Sequence, residues 1–510
     1  MIFNRMLNSV QILRCSAKTF KLSAKYFATK PQIALTKDVY NIKRGKYGVL
    51  NDSDVQYFEN ILSRDRVLTD VNDVEPYNVD WIKMVRGFSS VVLKPKSTEE
   101  VSAILKYCNN KKLAVCPQGG NTGLVGGSVP VFDEVIVSTS LMNNIIQINE
   151  LPGSIICQAG CVLEVVDNAL AEHDLMMPLD LGAKGSCQIG GNIATNAGGL
   201  RLLRYGSLQA NTLGLKAVTA SGEIIDCMNT LKKDNTGFHL KHLFIGSEGT
   251  LGIVTEAAIQ TPPKPKAVML AFLGVESFEK ALSTFRLARN MLSEILSSCE
   301  VIDSHSITPV INTLGVRSPL SDFPFYILIE TSGSNAGHDE EKLNTFLETA
   351  MGDGTVLDGT VTTEPSRMLT LWQLRERIAE GLLKNGFVYK YDVSLPHKNF
   401  YELIPVLDKK LKGTSADIVC GYGHLGDGNL HLNITSKIFT KELLHEIEPF
   451  VFEFVSRLGG SISAEHGIGF KKTQFLHYSK SKEAISLMQK IKSLMDPNGI
   501  LNPYKVLPIS

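Results

Sequence analysis

Apolar and polar positions along the chain follow two periods, and the switches between them mark out the elements. Residues 97–100, Ser-Thr-Glu-Glu, read as a capping box ahead of apolar positions at Val101, Ile104, Leu105 and Tyr107, the spacing of one helix face. Short apolar runs at 113–117 and 135–138 read as strands, the second after a glycine-rich loop. From there to about residue 260, apolar runs at 154–159, 213–219 and 243–255 alternate with glycine clusters. That pattern predicts a compact α+β unit whose backbone comes close to a ligand. Pro262, Pro263 and Pro265 then interrupt any sheet or helix and mark a boundary. Beyond it a strand at 267–275, a helix at 277–292 and a strand at 325–330 predict a second α+β domain with an antiparallel sheet. A last amphipathic helix at 482–494 stops at the turn 496–499 and leads into residues 500–503.

Composition narrows the class. Hydrophobic residues make up 44% and charged residues 20% of the 510 residues, a globular balance over enough chain for two or three domains. Formal net charge is zero, which offers nucleic acid no electrostatic footprint. No apolar run approaches the roughly 18 residues that a membrane-spanning helix needs. Seven basic side chains (Arg5, Arg14, Lys18, Lys21, Lys25, Lys30, Lys37) and no acid precede Asp38, with Ser9, Ser16 and Ser23 among apolar residues. Such a leader has the composition of a mitochondrial transit peptide, the alternative being a basic tail. The nine cysteines are scattered without a C-x-x-C, as reduced thiols would be. The expected division is leader 1–37, first domain 38–263, second domain 264–475 and a terminal segment 476–510.

Four segments of the first domain are dense in glycine and small residues: 117–130, 178–182, 190–199 and 246–252. Successive N–H groups in such loops can cradle a pyrophosphate. Together they resemble the FAD-binding domain of the vanillyl-alcohol oxidase and p-cresol methylhydroxylase superfamily. The resemblance implies a two-part FAD-binding domain, then an α+β substrate domain with an antiparallel sheet, and a C-terminal helical segment returning to the flavin. By position it assigns Pro117, Gly119, Gly120, Asn121, Thr122, Gly123 and Leu124 to the pyrophosphate loop. Gly190, Gly191, Asn192, Thr195, Asn196, Gly198 and Gly199 form the second phosphate segment, and Glu248, Gly249, Gly252 and Ile253 lie at the adenosine end. Some members bind FAD through a histidine where this chain has Asn121, so non-covalent FAD is expected. Gly421, Gly423 and Gly426 also fit G-x-G-x-x-G. A dinucleotide fingerprint must open a helix, whereas 428–434 alternates like a strand, so a nicotinamide fold is rejected.

Chemistry-bearing residues cluster in the second domain. His424 and His431 flank a short glycine-containing turn between two strand ends, which can bring two imidazoles toward one divalent ion. Glu465 and His466 are adjacent in the glycine-bearing segment 463–469. In extended chain they would point apart, leaving Glu465 as a third ligand and His466 as a free base. Residues 421–433 and 463–467 resemble the signature of D-2-hydroxyacid dehydrogenases with the FAD-linked oxidase C-terminal domain, a similarity that spans 38–508 and includes the family's hydroxyglutarate branch. It implies that His424, His431 and Glu465 ligate a metal, usually zinc, that His466 is the general base, that Asn433 binds substrate, and that Asn502 lies near the flavin ring.

The implied reaction is oxidation of D-2-hydroxyglutarate to 2-oxoglutarate in the mitochondrial matrix, with hydride passing from C2 to flavin N5. The metal would chelate the hydroxyl and C1 carboxylate, and electron-transfer flavoprotein would be the acceptor. Arg375, on a helix read over 372–379, and Lys390, on a strand over 387–395, match family positions for the distal carboxylate, for which a guanidinium fork is suited. The family carries threonine where this chain has Ala379, a loss of one hydrogen bond worth about 0.5–1.5 kcal/mol. A D-lactate or broader D-2-hydroxyacid dehydrogenase of the same architecture therefore stays open.

Overall fold

The computed structural model describes residues 35–508, so the basic leader lies outside the described residues up to residue 34. Residues 35–37, the last of the expected leader, make contacts with the rest of the chain. Leu35 pairs with Val85 in a parallel bridge and is buried among Ile82, Met84, Val129 and Phe470. The Thr36 and Lys37 carbonyls accept from Val39 and Ile42. These three residues belong to the folded body because apolar contact and turn hydrogen bonds hold them there.

The first domain is two sheets facing across a cleft. One is a mostly parallel sheet in the order Val67–Leu68, Val92–Leu93, Val135–Ser138 and Val115–Gln118. The helix Thr98–Lys111 lays Val101, Ile104, Leu105 and Cys108 on it. Only half of the expected capping box forms. The Ser97 side chain accepts from the Glu100 N–H, but the Glu100 carboxylate takes Lys96 N–H and Arg66 instead of the Ser97 N–H. The other sheet is antiparallel, in the order Ile145–Asn149, Ser154–Gln158, Ile253–Gln260, Thr212–Val218 and Ile224–Cys227. The glycine segment after Gln188 folds as a short helix, Ile189–Thr195.

The second domain is built on a seven-stranded antiparallel sheet. Its order is Asp358–Thr362, Ala267–Val275, Phe325–Gly333, Leu296–Asp303, Ile418–His424, Asn429–Ser436 and Phe387–Ser394. Helices Phe278–Met291, Ala336–Gly352 and Lys441–Arg457 cover one face, with Phe285, Phe346 and Phe452 in its core. The helix expected over 372–379 breaks at Arg377 into Pro365–Glu376 and Ile378–Leu383, yet Arg375 and Ala379 still face one cavity.

The chain end returns to the first domain. Helix Lys482–Met495 stops at Asp496, and Leu501 bridges Val115 in parallel, extending the small sheet. The buried Lys505 ammonium then donates to the Gly127 and Val129 carbonyls and to Asn502 Oδ1, at 2.9, 2.6 and 2.7 Å. Among the described residues no helix is long and apolar enough to cross a membrane, and all eight cysteines are free.

Candidate active site

Sheet register assembles the polar centre. Strand Ile418–His424 pairs with Asn429–Ser436 so that Tyr422 faces His431 and His424 faces Asn429. Side chains two apart share a face, which puts Tyr422, His424, His431 and Asn433 together. The flanking strands place Glu300 opposite His424 and Asp392 opposite His431. A carboxylate therefore stands on each side of the histidine pair. The two Nε2 atoms are 3.3 Å apart, and Glu465 Oε1 lies 3.8 Å from each. The three expected ligand atoms thus converge at separations that suit one divalent ion. His466 Nε2 is also 3.8 Å from Glu465 Oε1. Asp392, His431, Glu465 and His466 likewise bring ligand atoms within 4.8 Å of one another.

Protonation follows from this crowding. Burial works against charge on His424, but Glu300, accepting from Nδ1 at 2.8 Å, more than offsets it and lifts the imidazole to about 10. Burial and the neighbouring His424 push His431 down to about 3. Glu300 itself is held at about 2: burial opposes ionisation, and His424 and Arg375 outweigh it. Binding a cation through His424 would have to displace a proton from that imidazole.

Glu465 and His466 do not point apart as extended chain would require. Their segment is a tight turn in which three consecutive N–H groups, from Ala464, Glu465 and His466, donate to Asp392 Oδ2 at 3.0, 2.9 and 2.9 Å. Both side chains consequently reach the centre. Further along, Ile468 and Gly469 donate to the buried Glu248 carboxylate of the first domain, at 2.7 and 2.8 Å. One loop is thus gripped by two carboxylates from two domains. Gly467 (φ +86°) passes so close that a Cβ there would sit 2.7 Å from Glu248 Oε1.

The expected flavin segments line a cleft with about 880 Å³ of empty space, including Pro117, Gly119–Gly123, Gly190–Asn192, Thr195, Glu248, Gly249, Gly252 and Ile253. A Cβ built on Gly123 or Gly191 would meet nothing and project into open space, the cradle that a bulky cofactor fits. Asn121 is tied into its loop by Val79 O and Ser128 Oγ, each at 2.8 Å. Five expected cofactor residues do not border this cleft. Leu124 faces the neighbouring cavities. Asn196 caps its helix and accepts from Gln209. The Gly199 N–H donates to Glu465 Oε2 at 3.0 Å, and a Cβ on Gly198 would meet the same oxygen. The Asn502 amide braces the Gly127 and Glu248 carbonyls from behind.

A second cavity adjoins the first, lined by Arg375, Ala379, Lys390, Tyr422, His424, His431, Asn433, Glu465 and His466. His466 borders both. Arg375 is buried, stacks 4.6 Å over the Tyr422 ring and donates Nε to Glu300 at 2.9 Å. Burial lowers the Lys390 ammonium to about 8. Arg377 instead pairs with Glu380 on the surface. Glu300 and the anchoring role of Asp392 escaped the sequence reading. Nothing local marked Glu300: its strand, Leu296–Asp303, is wholly buried and carries a second carboxylate, Asp303.

Comparison with known proteins agrees with this architecture. Residues 89–228 match the FAD binding domain, and residues 264–506 match the C-terminal domain of FAD linked oxidases. The chain is 53% identical over 478 residues to mitochondrial D-2-hydroxyglutarate dehydrogenase of Bos taurus, covering 94% of this chain and 88% of that one. It is 45% identical to D-2-hydroxyglutarate–pyruvate transhydrogenase of Saccharomyces cerevisiae, covering 94% and 100%. In fold it is similar to p-cresol methylhydroxylase, with TM-score 0.70 at 16% identity over 93% of this chain and 98% of that one. The chain belongs to the D-2-hydroxyglutarate dehydrogenase family and is an FAD-dependent hydroxy-acid dehydrogenase.

Proposed function

We propose that the protein oxidises D-2-hydroxyglutarate to 2-oxoglutarate in the mitochondrial matrix. The observation that carries this reading is the position of His466, which borders both the flavin cleft and the cavity holding Arg375, Lys390 and Asn433. A substrate in that cavity is placed between a base and the flavin. FAD held in the cleft would supply the acceptor for the C2 hydrogen, taken as hydride. His424, His431 and Glu465 would hold a divalent ion, zinc by family resemblance, which would lower the pKa of the substrate hydroxyl. His466 takes the hydroxyl proton at its imidazole nitrogen, and Asp392 holds its backbone so that the ring faces the cavity. Asn433 orients the C1 end, while Arg375 and Lys390 bind the distal carboxylate. Because Glu300 occupies Arg375 Nε, the two Nη groups remain for a bidentate grip. FAD is held without a covalent bond, since Asn121 stands where a flavin-linking histidine would.

The division into leader 1–37, flavin domain 38–263, substrate domain 264–475 and terminal segment 476–510 belongs to the same reading. Mitochondrial location is supported by the acid-free basic leader and by the name of the bovine relative. Electron-transfer flavoprotein is the proposed acceptor, with pyruvate the alternative that the yeast relative's name suggests. A second substrate reading, D-lactate, is favoured by one observation: Ala379 leaves an apolar surface beside Arg375. Anaerobic bleaching of oxidised flavin separates the two. Fast bleaching by D-2-hydroxyglutarate alone supports the dicarboxylate, a preference for D-lactate replaces it, and no bleaching by either discards the mechanism.

A further inference from the structure

Glu300 is 1% exposed and touches none of the reacting groups just described. Its two oxygens serve two different parts of the site. Oε1 accepts from His424 Nδ1 at 2.8 Å and from Ser298 Oγ at 3.3 Å, and Oε2 accepts from Arg375 Nε at 2.9 Å. The first contact fixes which His424 nitrogen faces the Glu465 and His431 cluster. The second holds the guanidinium 4.6 Å over the Tyr422 ring, on a side chain that lines the cavity. Both partners are themselves buried, so neither can exchange Glu300 for solvent. A carboxylate behind a ligating histidine commonly sets the strength of that ligand.

We infer that Glu300 is a positioning residue that links metal binding to recognition of the distal carboxylate, so that a dicarboxylate tightens the metal and the metal tightens the dicarboxylate. The inference rests on the reading of His424 and Arg375 given above. A distal carboxylate on the Arg375 fork draws off part of the positive charge that Glu300 now neutralises. Glu300 is then freer to polarise His424 Nδ1–H, which makes Nε2 a stronger donor to a cation. Such linkage is reciprocal in free energy.

The test uses FAD-loaded protein, wild type and E300Q. Zinc affinity is read by chelator competition, and affinity for 2-oxoglutarate and pyruvate by perturbation of the flavin spectrum. In the wild type, zinc should bind about fivefold or more tightly with saturating 2-oxoglutarate than with pyruvate. E300Q should weaken zinc by roughly 10–100-fold, erase that difference, and lower the preference for 2-oxoglutarate over pyruvate. R375A should remove the same preference and, by releasing Glu300 wholly to His424, bind zinc without ligand about as tightly as the wild type does with saturating 2-oxoglutarate. Equal zinc affinity with either oxo acid in the wild type overturns the inference, and so does an E300Q enzyme that loses only one of the two properties. If E300Q does not fold, the wild-type comparison decides alone. A wild-type protein with no preference for 2-oxoglutarate overturns the distal-carboxylate reading as well, so the two failures are distinguishable.

Discussion

Replacing Glu248 by glutamine isolates the hold of the flavin domain on the loop that carries Glu465 and His466. The carboxylate receives one N–H on each oxygen, from Ile468 and Gly469. An amide keeps one acceptor and turns an NH2 toward the other donor. One hydrogen bond to a charged group is lost, worth about 1.5–3 kcal/mol, and one buried N–H is left unpaired. Against this, burial pushes the Glu248 carboxyl up, so the neutral amide regains part of a desolvation cost. The net effect on loop seating is about 1–3 kcal/mol. At about 1.4 kcal/mol per tenfold, flavin reduction in E248Q should slow by roughly 5- to 150-fold. Stopped-flow reduction under anaerobic conditions measures it, alongside FAD content and thermal unfolding. E248Q that retains flavin and reduces it within about a factor of two of wild type refutes the clamp. Gly467→Ala should reproduce the slowing, because its Cβ meets the same carboxylate.

Three other perturbations have definite outcomes. His424→Ala should lose bound metal and most activity, checked by metal analysis of the purified protein; unchanged metal content removes His424 from the ligand set. Arg375→Ala should raise KM for D-2-hydroxyglutarate by about 10-fold or more while changing D-lactate little, and equal losses would exclude a distal-carboxylate role. Burial lifts Glu448 to about 7, above its unfolded value of about 4.3. The folded state therefore holds that proton more tightly, and stability is lost as pH rises from about 4.5 through about 7. Glu448→Gln should melt like the wild type at about pH 5 and above it at about pH 8; parallel melting curves at both would show that the site does not govern pH stability.

Where local pattern and tertiary context agree, the sequence was readable to the residue. The strand Ala267–Val275 and the histidine pair are of this kind, because strand alternation and a glycine turn leave those side chains few alternatives. Misreadings came where distant residues decide. Glu465 and His466 were expected to diverge as in extended chain, but Asp392, 73 and 74 residues earlier, gathers their N–H groups into a turn. The glycines after Gln188 looked like loop, yet packing of Ile189 and Ile193 in the core carries them into a helix. Arg375 and Ala379 were placed on one helix that in fact breaks at Arg377. Glu300 was invisible because nothing local distinguishes a buried carboxylate with two partners from any other strand residue. Its partners lie 124 and 75 residues away.

The return of the chain end has a consequence in time. A ribosome delivers residues 115–129 long before Leu501 and Lys505, and a protein threaded through a membrane pore emerges in the same order. Until the end arrives, Val115 lacks the neighbour that its N–H donates to, and the Gly127 and Val129 carbonyls lack their ammonium. The segment 115–129 therefore lacks these three contacts for as long as the chain end is absent. A chain lacking residues 501–510 is expected to hold less FAD, read as flavin absorbance per protein, although the residues that line the cleft are all present.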